Sequence, residues 1–231
     1  MNNIKLLFAE DDNGFREIIK DSLDLIGNYE IFEAENGQEG YKAYKSFAPD
    51  IIVADIAMPV MTGLEMIKKI RKEDSDIPII IASGAADPKN IAIGYELEID
   101  SLIKKPYLPG ELDYCIKAIF RRIEKTENLS KGEDQLFPLG DYMFDLKNHC
   151  LIYKNVKSNL TPREAQILQF LYENKGDVVK RKDILEQFWG VDDFYTSRSL
   201  DVFISKLRKS IEKDKSVQIE TLRGEGLQLI F

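Results

Sequence analysis

The chain has 231 residues, of which 44% are hydrophobic and 31% are charged, an ordinary balance for a globular protein with room for two modest domains. No run of about 18 apolar residues occurs, so we expect no membrane span, and the acidic N-terminal stretch does not have the pattern of a signal peptide. The two cysteines, Cys115 and Cys150, lack metal-site spacing, which favours reduced thiols and a cytoplasmic location.

Charge is distributed unequally between the two halves of the chain. Residues 1–134 carry 17 Lys and Arg against 26 Asp and Glu, whereas residues 135–231 carry 15 against 14. An acidic half beside a nearly neutral half predicts two units with different partners. A polyanion such as DNA could bind the second half if its basic residues cluster, but not the first half.

The first half alternates strand patterns with helix patterns. The strand patterns cover residues 4–8, 29–34, 51–54, 77–83 and 101–105, and the helix patterns cover residues 13–26, 37–47, 63–72, 88–97 and 109–122. Five such β-α units predict an α/β, doubly wound, five-stranded parallel sheet with helices on both faces. In such sheets the functional residues lie at the carboxyl ends of the strands.

Polar residues follow several of the predicted strands at that edge. Asp55 comes directly after a strand that is apolar throughout, and the other predicted strand ends carry Glu10-Asp11-Asp12, Ser83 and Lys105. Carboxylate oxygens are the ligands that Mg²⁺ prefers, and a carboxylate can accept a phosphoryl group as a nucleophile. A lysine and a cation would neutralise the charge of that group. The pattern therefore predicts a site for a divalent cation and a phosphoryl group.

The acidic triplet also has a simpler interpretation. Acids at a strand end commonly form a solvated loop, or they cap the helix that follows, which here begins near Asn13. Ser83 could simply end its strand. The functional interpretation gains support because these residues recur, in order, at the ends of separate β-α units.

The segments "FAEDD", "DIAMPVMTGLE", "IIIASG" and "LIKKPY" resemble the receiver domains of two-component response regulators, over residues 1–122. The resemblance implies that a partner histidine kinase phosphorylates Asp55. It also implies that Glu10 and Asp11 form the family's acidic pair, and that Asp11, Asp55 and the backbone carbonyl of Ala57 hold Mg²⁺. Asp12 is interpreted as a helix cap.

The same resemblance assigns the residues around the phosphoryl group. Ser83 matches the hydroxyl residue that closes onto this group, and Lys105 matches the invariant lysine. The family usually has Tyr or Phe three residues before the lysine, where this chain has Leu102. The aromatic switch therefore cannot operate in its usual form.

Residues 123–134 are polar and charged, which predicts a linker, and residues 135–159 have the short apolar runs of a small antiparallel sheet. His149 lies there, without neighbours at metal-ligand spacing, and is interpreted as an ordinary hairpin residue. Thr161, Pro162 and Glu164 predict a capped helix that Gly176 ends.

Two further helices and a hairpin follow. They cover residues 180–190, 197–213 and 217–231, with Arg223 at the hairpin tip. The third helix has an apolar face formed by Leu200, Phe203, Ile204, Leu207 and Ile211, and an opposite face formed by Arg198, Asp201, Val202, Ser205, Arg208 and Lys209. A plain amphipathic surface helix would show the same pattern, but the hairpin favours an α+β winged helix-turn-helix domain, whose last helix enters the major groove of DNA.

Residues 135–231 resemble the OmpR/PhoB-type DNA-binding domain, through "LTPRE", the pair Trp189-Gly190, "SRSLDVFISKLRK" and "TLRGEGL". The resemblance implies contacts to double-stranded DNA by Arg198, Ser205, Arg208 and Lys209 on the recognition helix and by Arg223 on the wing. It matches residues 189–196 to the loop that meets RNA polymerase in activators. The chain departs from the family at Phe203, usually His, and at Lys180, usually a capping Ser or Thr.

Family members commonly form homodimers through the fourth helix, the fifth strand and the fifth helix of the receiver. The charged residues kept at that face are Asp100, Glu111, Lys117 and Arg122, while Ile91 and Cys115 stand where arginines are usual. We therefore expect a dimer face with fewer charge pairs and more apolar surface.

Three functions remain open at this stage. A transcription factor activated by phosphorylation of Asp55 is favoured, and we expect a regulator rather than an enzyme. A constitutive DNA-binding regulator that uses the receiver as a dimerisation scaffold would be consistent with Leu102. A phosphohydrolase with Asp55 as nucleophile would require a second acid two residues later, where this chain has Ala57, so this function is disfavoured.

Overall fold

The structure is a computed structural model that describes residues 3–84, 93–94, 97–129, 136–190 and 194–231. The chain divides into two compact units, Met1–Arg121 and Arg122–Phe231. None of the helices in the described ranges combines the length and the apolar character that crossing a membrane requires.

The first unit is a parallel five-stranded sheet with the strand order β2-β1-β3-β4-β5. Its strands are β1 (Ile4–Ala9), β2 (Tyr29–Ala34), β3 (Ile51–Asp55), β4 (Ile79–Ser83) and β5 (Ser101–Lys104). Its helices are α1 (Asn13–Ile26), α2 (Gly37–Phe47), α3 (Gly63–Ile70) and α4 (Pro109–Leu129). The doubly wound α/β fold predicted from the sequence is confirmed.

The three central strands form the core of this unit. Residues 51–54 of β3 and 79–82 of β4 are completely buried, because a central strand with helices on both faces has no solvent-facing side. In the register of the sheet, Ala9 pairs with Ala54 and Asp55 pairs with Ala82. This register brings the carboxyl ends of β1, β3 and β4 to one edge.

The sequence predicts helix α1 from an apolar face formed by Phe15, Ile18, Ile19, Leu23 and Ile26, and the structure differs from that face in detail. Ile18 and Ile26 are 63% and 46% exposed, whereas Arg16 is buried with Ile19 and Leu23. The prediction assigned the buried side to hydrophobic side chains, but a guanidinium can be buried when its charge is paired. The two Nη atoms of Arg16 donate to three oxygen atoms, and its Nε lies 3.4 Å from Glu33 Oε2. The predicted cap is confirmed, because the side chain of Asp12 accepts a hydrogen bond from the backbone N–H of Phe15.

Two segments of the first half differ from their predicted bounds or lie partly outside the described residues. Helix α4 continues to Leu129, so the first part of the predicted linker, residues 123–134, is helical. Of the predicted helix at residues 88–97, residues 93–94 are helical and 97–98 form a turn, while 88–92 and 95–96 lie outside the described residues.

In its described residues, the second unit contains the end of α4, three further helices and two antiparallel sheets. A four-stranded sheet has the order β6-β7-β8-β9, and a two-stranded sheet pairs β10 with β11. The strands are β6 (Leu136–Leu139), β7 (Tyr142–Asp145), β8 (Cys150–Tyr153), β9 (Val156–Asn159), β10 (Gln218–Leu222) and β11 (Gly226–Ile230). The helices are α5 (Pro162–Glu173), α6 (Arg181–Trp189) and α7 (Phe194–Ser210). This is the predicted winged helix-turn-helix arrangement.

The sequence predicted the start of α5 correctly and its end less accurately. Thr161 and Glu164 form the predicted capping box. The helix ends at Glu173 with Asn174 as its C-cap, before Gly176, which lies in the following turn with φ +84°. His149 lies in the turn before β8, as expected of a hairpin residue.

Helix α7 has the two faces that were predicted. Its apolar residues Leu200, Phe203, Ile204, Leu207 and Ile211 are all buried in the core of the unit. Most of the opposite face is exposed: Arg198, Asp201, Ser205, Arg208 and Lys209. The helix therefore presents a polar and largely basic outer surface to solvent.

Candidate functional site

The acidic pocket of the first unit lies at the carboxyl edge of its sheet. Glu10 and Asp11 follow β1, Asp55 is the last residue of β3, and Lys105 follows β5. Glu10 is completely buried, Asp55 is half-buried and Asp11 is exposed. The pocket thus runs from the protein interior to solvent, which gives an incoming anion access to Asp55.

Lys105 joins the two inner carboxylates of the pocket. Its ammonium nitrogen lies 2.5 Å from Glu10 Oε2 and also forms an ion pair with Asp55 Oδ2. Burial raises the pKa of the Glu10 carboxyl above its ordinary value, although Lys105 opposes this shift. Burial lowers the pKa of Lys105, but the carboxylates of Asp55 and Glu10 outweigh it and raise the pKa overall. Lys105 is therefore a fixed positive charge at the bottom of the pocket.

The three carboxylates can converge on one cation. Glu10, Asp11 and Asp55 each offer an oxygen, and these oxygens lie within 4.8 Å of one another. Such a set of hard oxygen donors suits Mg²⁺. The backbone N–H of Ala57 donates to Asp55 Oδ1 at 3.2 Å, which fixes the loop that carries the Ala57 carbonyl.

A glycine allows the end of β3 to pack closely on the start of α3. A Cβ atom on Gly63 would lie 1.9 Å from the backbone oxygen of Asp55, so no other residue fits without a backbone shift. The Gly63 N–H also donates to the carbonyl of Ile56 at 3.0 Å. This contact holds the loop after Asp55 against the sheet.

Ser83 and Leu102 lie on the strands beside the pocket. Ser83 ends β4 and is buried, and its carbonyl accepts a hydrogen bond from the N–H of Lys105 at 2.8 Å. Leu102 pairs with Ile81 in the sheet and is half-buried. The hydroxyl residue is thus adjacent to the lysine, while the position of the family's aromatic residue holds an aliphatic side chain.

Sequence reasoning missed Arg16 as a support of this pocket. Its guanidinium donates to the Glu10 carbonyl at 2.5 Å, to Asn13 Oδ1 at 2.7 Å and to Glu35 Oε1 at 3.0 Å. These bonds tie the loop after β1 to the end of β2. The available signal was an arginine at helical spacing from Ile19 and Leu23, on the buried side of α1.

Two aromatic residues also line the lysine side of the pocket and were not predicted to do so. The Lys105 ammonium lies 5.2 Å from the centre of the Phe15 ring, a cation–π distance. The ring of Tyr107 meets Phe15 edge to face, with 5.1 Å between ring centres. Phe15 thereby separates the ammonium of Lys105 from bulk water on one side.

The second unit presents the predicted DNA-contact residues on its surface. Arg223 is exposed in the turn between β10 and β11. Arg208 is exposed, yet its guanidinium donates to the Ile219 carbonyl and to Thr221 Oγ1, both at 2.8 Å. Arg208 therefore connects the recognition helix α7 to the wing strand β10, a contact that the sequence did not indicate.

The predicted polymerase loop, residues 189–196, is shorter in the structure. Trp189 is the last residue of α6, and α7 begins at Phe194, so the connection spans residues 190–193. Residues 191–193 lie outside the described part of the chain. The indole of Trp189 is buried beneath the Arg163 guanidinium, 5.4 Å from the ring centre.

Comparison with known proteins identifies both units. Residues 6–117 match the family model of the response regulator receiver domain, and residues 155–229 match the model described as transcriptional regulatory protein, C terminal. The chain is 32% identical to the probable transcriptional regulator ycf27 of Porphyridium aerugineum, over 98% of this chain and 95% of that protein. It is 30% identical to the alkaline phosphatase synthesis transcriptional regulatory protein PhoP of Bacillus subtilis, over 98% and 97%.

The chain belongs to the OmpR/PhoB-type response regulators.

Among solved structures, the response regulator DrrB of Thermotoga maritima, an OmpR/PhoB homolog, is 25% identical, with a TM-score of 0.50 over 99% of this chain and 100% of DrrB. The relatives are named as transcriptional regulatory proteins. The protein is thus a transcriptional response regulator of a two-component system, as the sequence predicted. Receiver domains of this family typically bind Mg²⁺ in an acidic pocket, and Glu10, Asp11 and Asp55 form an acidic cluster here.

Several residues of the predicted dimer face of this response regulator have partners within the first unit. Asp100 Oδ2 accepts from the Ile79 N–H at 2.9 Å, Glu111 Oε2 accepts from the Leu108 N–H at 2.9 Å, and the Lys117 ammonium lies 2.8 Å from Asp113 Oδ2. Cys115 is half-buried on α4. Ile91 and the side chain of Arg122 lie outside the described residues.

Proposed function

We propose that Asp55 is the phosphoryl acceptor of this response regulator and that a sensor histidine kinase is the physiological donor. The observation that carries the proposal is the Lys105 ammonium bound to both Glu10 and Asp55 at the carboxyl edge of the sheet. An ammonium so placed lies where the negative charge of a transferred phosphoryl group would develop. The matching receiver model supports the same assignment.

The geometry supports transfer by nucleophilic attack of a carboxylate. An Asp55 carboxylate oxygen forms the bond to phosphorus while the bond from phosphorus to the donor's leaving atom breaks, and the leaving group takes the electron pair. Lys105 then neutralises a phosphoryl oxygen, and Ser83 offers a hydroxyl from the neighbouring strand. Asp11, Asp55 and the Ala57 carbonyl would hold Mg²⁺, which when bound offsets the charge of the phosphoryl group.

Labelling with acetyl phosphate tests this proposal. Wild-type protein should take up one phosphoryl group only when Mg²⁺ is present, Asp55→Asn should abolish the uptake, and Asp11→Asn should impair it because a metal ligand is lost. Asp12→Asn is a matched control, because the Asp12 side chain caps α1 and should leave labelling nearly unchanged. Undiminished labelling of Asp55→Asn would falsify the assignment.

We propose in addition that the DNA-binding domain within the second unit, residues 135–231, binds double-stranded DNA with α7 in the major groove. Arg198, Ser205 and Lys209 face outward on this helix, and Arg223 extends the same function to the wing. Arg208 is kept as a DNA contact, and its bonds to β10 in addition support a role in positioning the wing. The segment 189–196 is proposed as a contact for RNA polymerase, and a cytoplasmic location follows from these partners.

Substitution of Arg223 tests the role of the wing. Arg223→Ala should weaken binding to all DNA sequences and reduce the salt dependence of the binding constant, because a backbone contact contributes affinity but no sequence information. Ser205→Ala should instead change which sequence is preferred, by about 0.5–1.5 kcal/mol at the contacted base pair if one hydrogen bond to a base edge is lost. Filter binding across a range of salt concentrations measures both effects. An unchanged affinity and salt slope for Arg223→Ala would show that the wing does not touch DNA.

A second candidate function has support from Leu102. Without an aromatic side chain at this position, phosphorylation of Asp55 could leave the output face unchanged, and the receiver, residues 1–122, would act as a dimerisation scaffold for a constitutive DNA-binding regulator. Operator binding by wild type and Asp55→Asn separates the two candidates, with and without acetyl phosphate. Equal affinity in all four cases favours the constitutive regulator.

A further inference from the structure

Arg71 connects three segments of the first unit. It is the C-cap residue of α3, and its side chain reaches beyond its own helix. Its Nε donates to the Leu97 carbonyl at 3.0 Å, and its two Nη atoms donate to the carbonyls of Ile77 at 2.7 Å and Glu98 at 3.0 Å. A guanidinium holds its donors in a rigid planar fork, which suits several acceptors at once. Arg71 therefore ties the end of α3 to the loop before β4 and to the turn before β5.

The turn before β5 closes in the manner of a helix end. The N–H of Leu97 donates to the Ile93 carbonyl at 3.0 Å, and the N–H of Ile99 donates to the Gly94 carbonyl at 3.4 Å. The last carbonyls of a helix have no partner within it, and a cationic side chain can bind them. Arg71 supplies that partner from a different helix.

The same turn is strained. Glu98 has φ +55°, in the left-handed region that residues other than glycine adopt at a cost. Its carbonyl is one of those that Arg71 binds. A strained conformation persists only while its surroundings hold it, so the turn can relax when the guanidinium moves away. The turn is therefore an element with two arrangements, which is what the transmission of a signal requires.

Helix α3 reaches from this turn to the loop after Asp55. At its first residue, the N–H of Gly63 donates to the Ile56 carbonyl at 3.0 Å, and a Cβ atom on Gly63 would lie 1.9 Å from the Asp55 carbonyl oxygen. The helix has 8 residues, so its length is about 12 Å. A displacement of the loop at one end is therefore carried to Arg71 at the other end by a short, rigid element.

The turn leads directly to the predicted dimer face. Asp100 follows it by two residues and is joined to Ile79 by two hydrogen bonds, in which the Asp100 N–H donates to the Ile79 carbonyl at 2.8 Å and Asp100 Oδ2 accepts from the Ile79 N–H at 2.9 Å. A change in the turn reaches Asp100 without passing through Leu102. This connection therefore does not need the aromatic side chain that is usual in the family.

We propose that α3 and Arg71 form a conformational switch between Asp55 and the turn before β5. A phosphoryl group on Asp55 displaces the loop that Gly63 contacts, α3 shifts with the loop, and Arg71 releases the turn. The turn then relaxes, and the backbone that leads to Asp100 loosens. The inference rests on the proposed function, since phosphorylation of Asp55 starts the movement.

Hydrogen exchange of the full-length protein, diluted to limit dimerisation, tests this inference with and without beryllofluoride and Mg²⁺. In wild type the mimic should speed the exchange of the amides of residues 97–100 by about fivefold or more, which is the lower end of the usual allosteric range. Arg71→Gln should show the faster exchange without the mimic and no further rise with it. Peptides covering residues 55–57 report whether the mimic has bound, because the Ala57 N–H donates to Asp55 Oδ1.

Two further variants separate the switch from a general loss of stability. Lys72→Gln is the matched control, since it removes the same charge from the next, exposed residue and should exchange as wild type does. Glu98→Gly leaves the guanidinium in place. Glycine adopts the left-handed conformation without strain, so the turn should stay closed. The response at residues 97–100 should then fall while the response at residues 55–57 remains.

The exchange at the two sites distinguishes failure of the switch from failure of the phosphoryl site. Wild type without a response at residues 55–57 removes the phosphoryl site and this inference together. A response there without one at residues 97–100 removes the inference alone. The inference also fails if Arg71→Gln or Glu98→Gly responds at residues 97–100 as strongly as wild type, or if Lys72→Gln loses that response.

Discussion

At the scale of single residues, the inward-facing polar side chains of this protein have different roles. Arg16 and Arg71 are inward-facing guanidinium groups whose donors meet backbone carbonyls, such as Glu10 for Arg16 and Leu97 for Arg71. Glu10 and Lys105 form instead a charged pair at a pocket. The two arginines hold loops in place, whereas Glu10 and Lys105 belong to the acidic pocket.

Like the two arginines, Asp214 holds a loop through hydrogen bonds to backbone groups. Its contribution to the free energy of unfolding should depend on pH. It accepts hydrogen bonds from the Asp141 N–H at 2.7 Å and from both the N–H and the hydroxyl of Ser216, and these bonds lower the pKa of its carboxyl. A lowered pKa in the folded state stabilises the protein above the ordinary Asp value, and the stabilisation is lost as the pH falls towards and below that value.

We therefore expect Asp214→Asn to lower the urea midpoint of the second unit at pH 7, and we expect the difference from wild type to shrink as the pH falls below about 4. The fluorescence of the single tryptophan, Trp189, reports on this unit. Asp141→Asn removes the same charge from a neighbouring exposed side chain and should change the midpoint little. A difference for Asp214→Asn that is as large at about pH 2.5 as at pH 7 would contradict the assigned cause.

At the scale of elements, the helices of the second unit begin in different ways. Helix α5 starts with the complete capping box of Thr161 and Glu164, whereas Lys180 at the start of α6 makes no side-chain cap hydrogen bond. A serine at this position could accept from the N–H of Asp183 or Lys182. The start of α6 at Lys180 is thus a local weakness.

Lys180→Ser should stabilise the second unit by about 0.5–1 kcal/mol, because it satisfies an N–H group at the start of α6. Thr161→Ala removes an existing cap and is therefore the opposite control. It should lower the free energy of unfolding by about 0.5–2 kcal/mol. Urea unfolding followed by Trp189 fluorescence measures both changes. No gain for Lys180→Ser, alongside a clear loss for Thr161→Ala, would show that the backbone at Lys180 does not accept a capping side chain.

Elements whose pattern is set locally were predicted well from the sequence. The continuous apolar run of β3 and the capping signals of α5 depend on neighbouring residues, and both are confirmed. The sequence did not show that Arg208 bonds to β10 or that Arg16 is buried, because these partners are distant along the chain and only folding brings them together. The order of strand ends predicted Glu10, Asp55 and Lys105 at one edge, whereas the packing of Phe15 and Tyr107 beside Lys105 could be seen only in the structure.

At the scale of the whole molecule, three charged residues of the predicted dimer face make contacts within their own chain. Of its charged residues, Asp100 and Glu111 accept backbone hydrogen bonds and Lys117 pairs with Asp113 of its own helix. Ile91 and Cys115 replace the two arginines that are usual in the family. Apolar side chains bind without a charge rearrangement, and burying them contributes about 25 cal/mol per Å².

We therefore expect appreciable dimer before phosphorylation and only a modest increase after it, since Leu102 also removes the aromatic switch. Analytical ultracentrifugation of wild type at micromolar concentration, with and without the phosphoryl mimic beryllofluoride, measures both. Ile91→Glu should shift the equilibrium to monomer because it places a charge in an apolar contact. Leu25→Glu is the matched control, since Leu25 on α1 is 87% exposed and lies away from that face in the sequence pattern. If unphosphorylated wild type is strictly monomeric, or if Ile91→Glu associates as well as Leu25→Glu, the apolar dimer face must be abandoned.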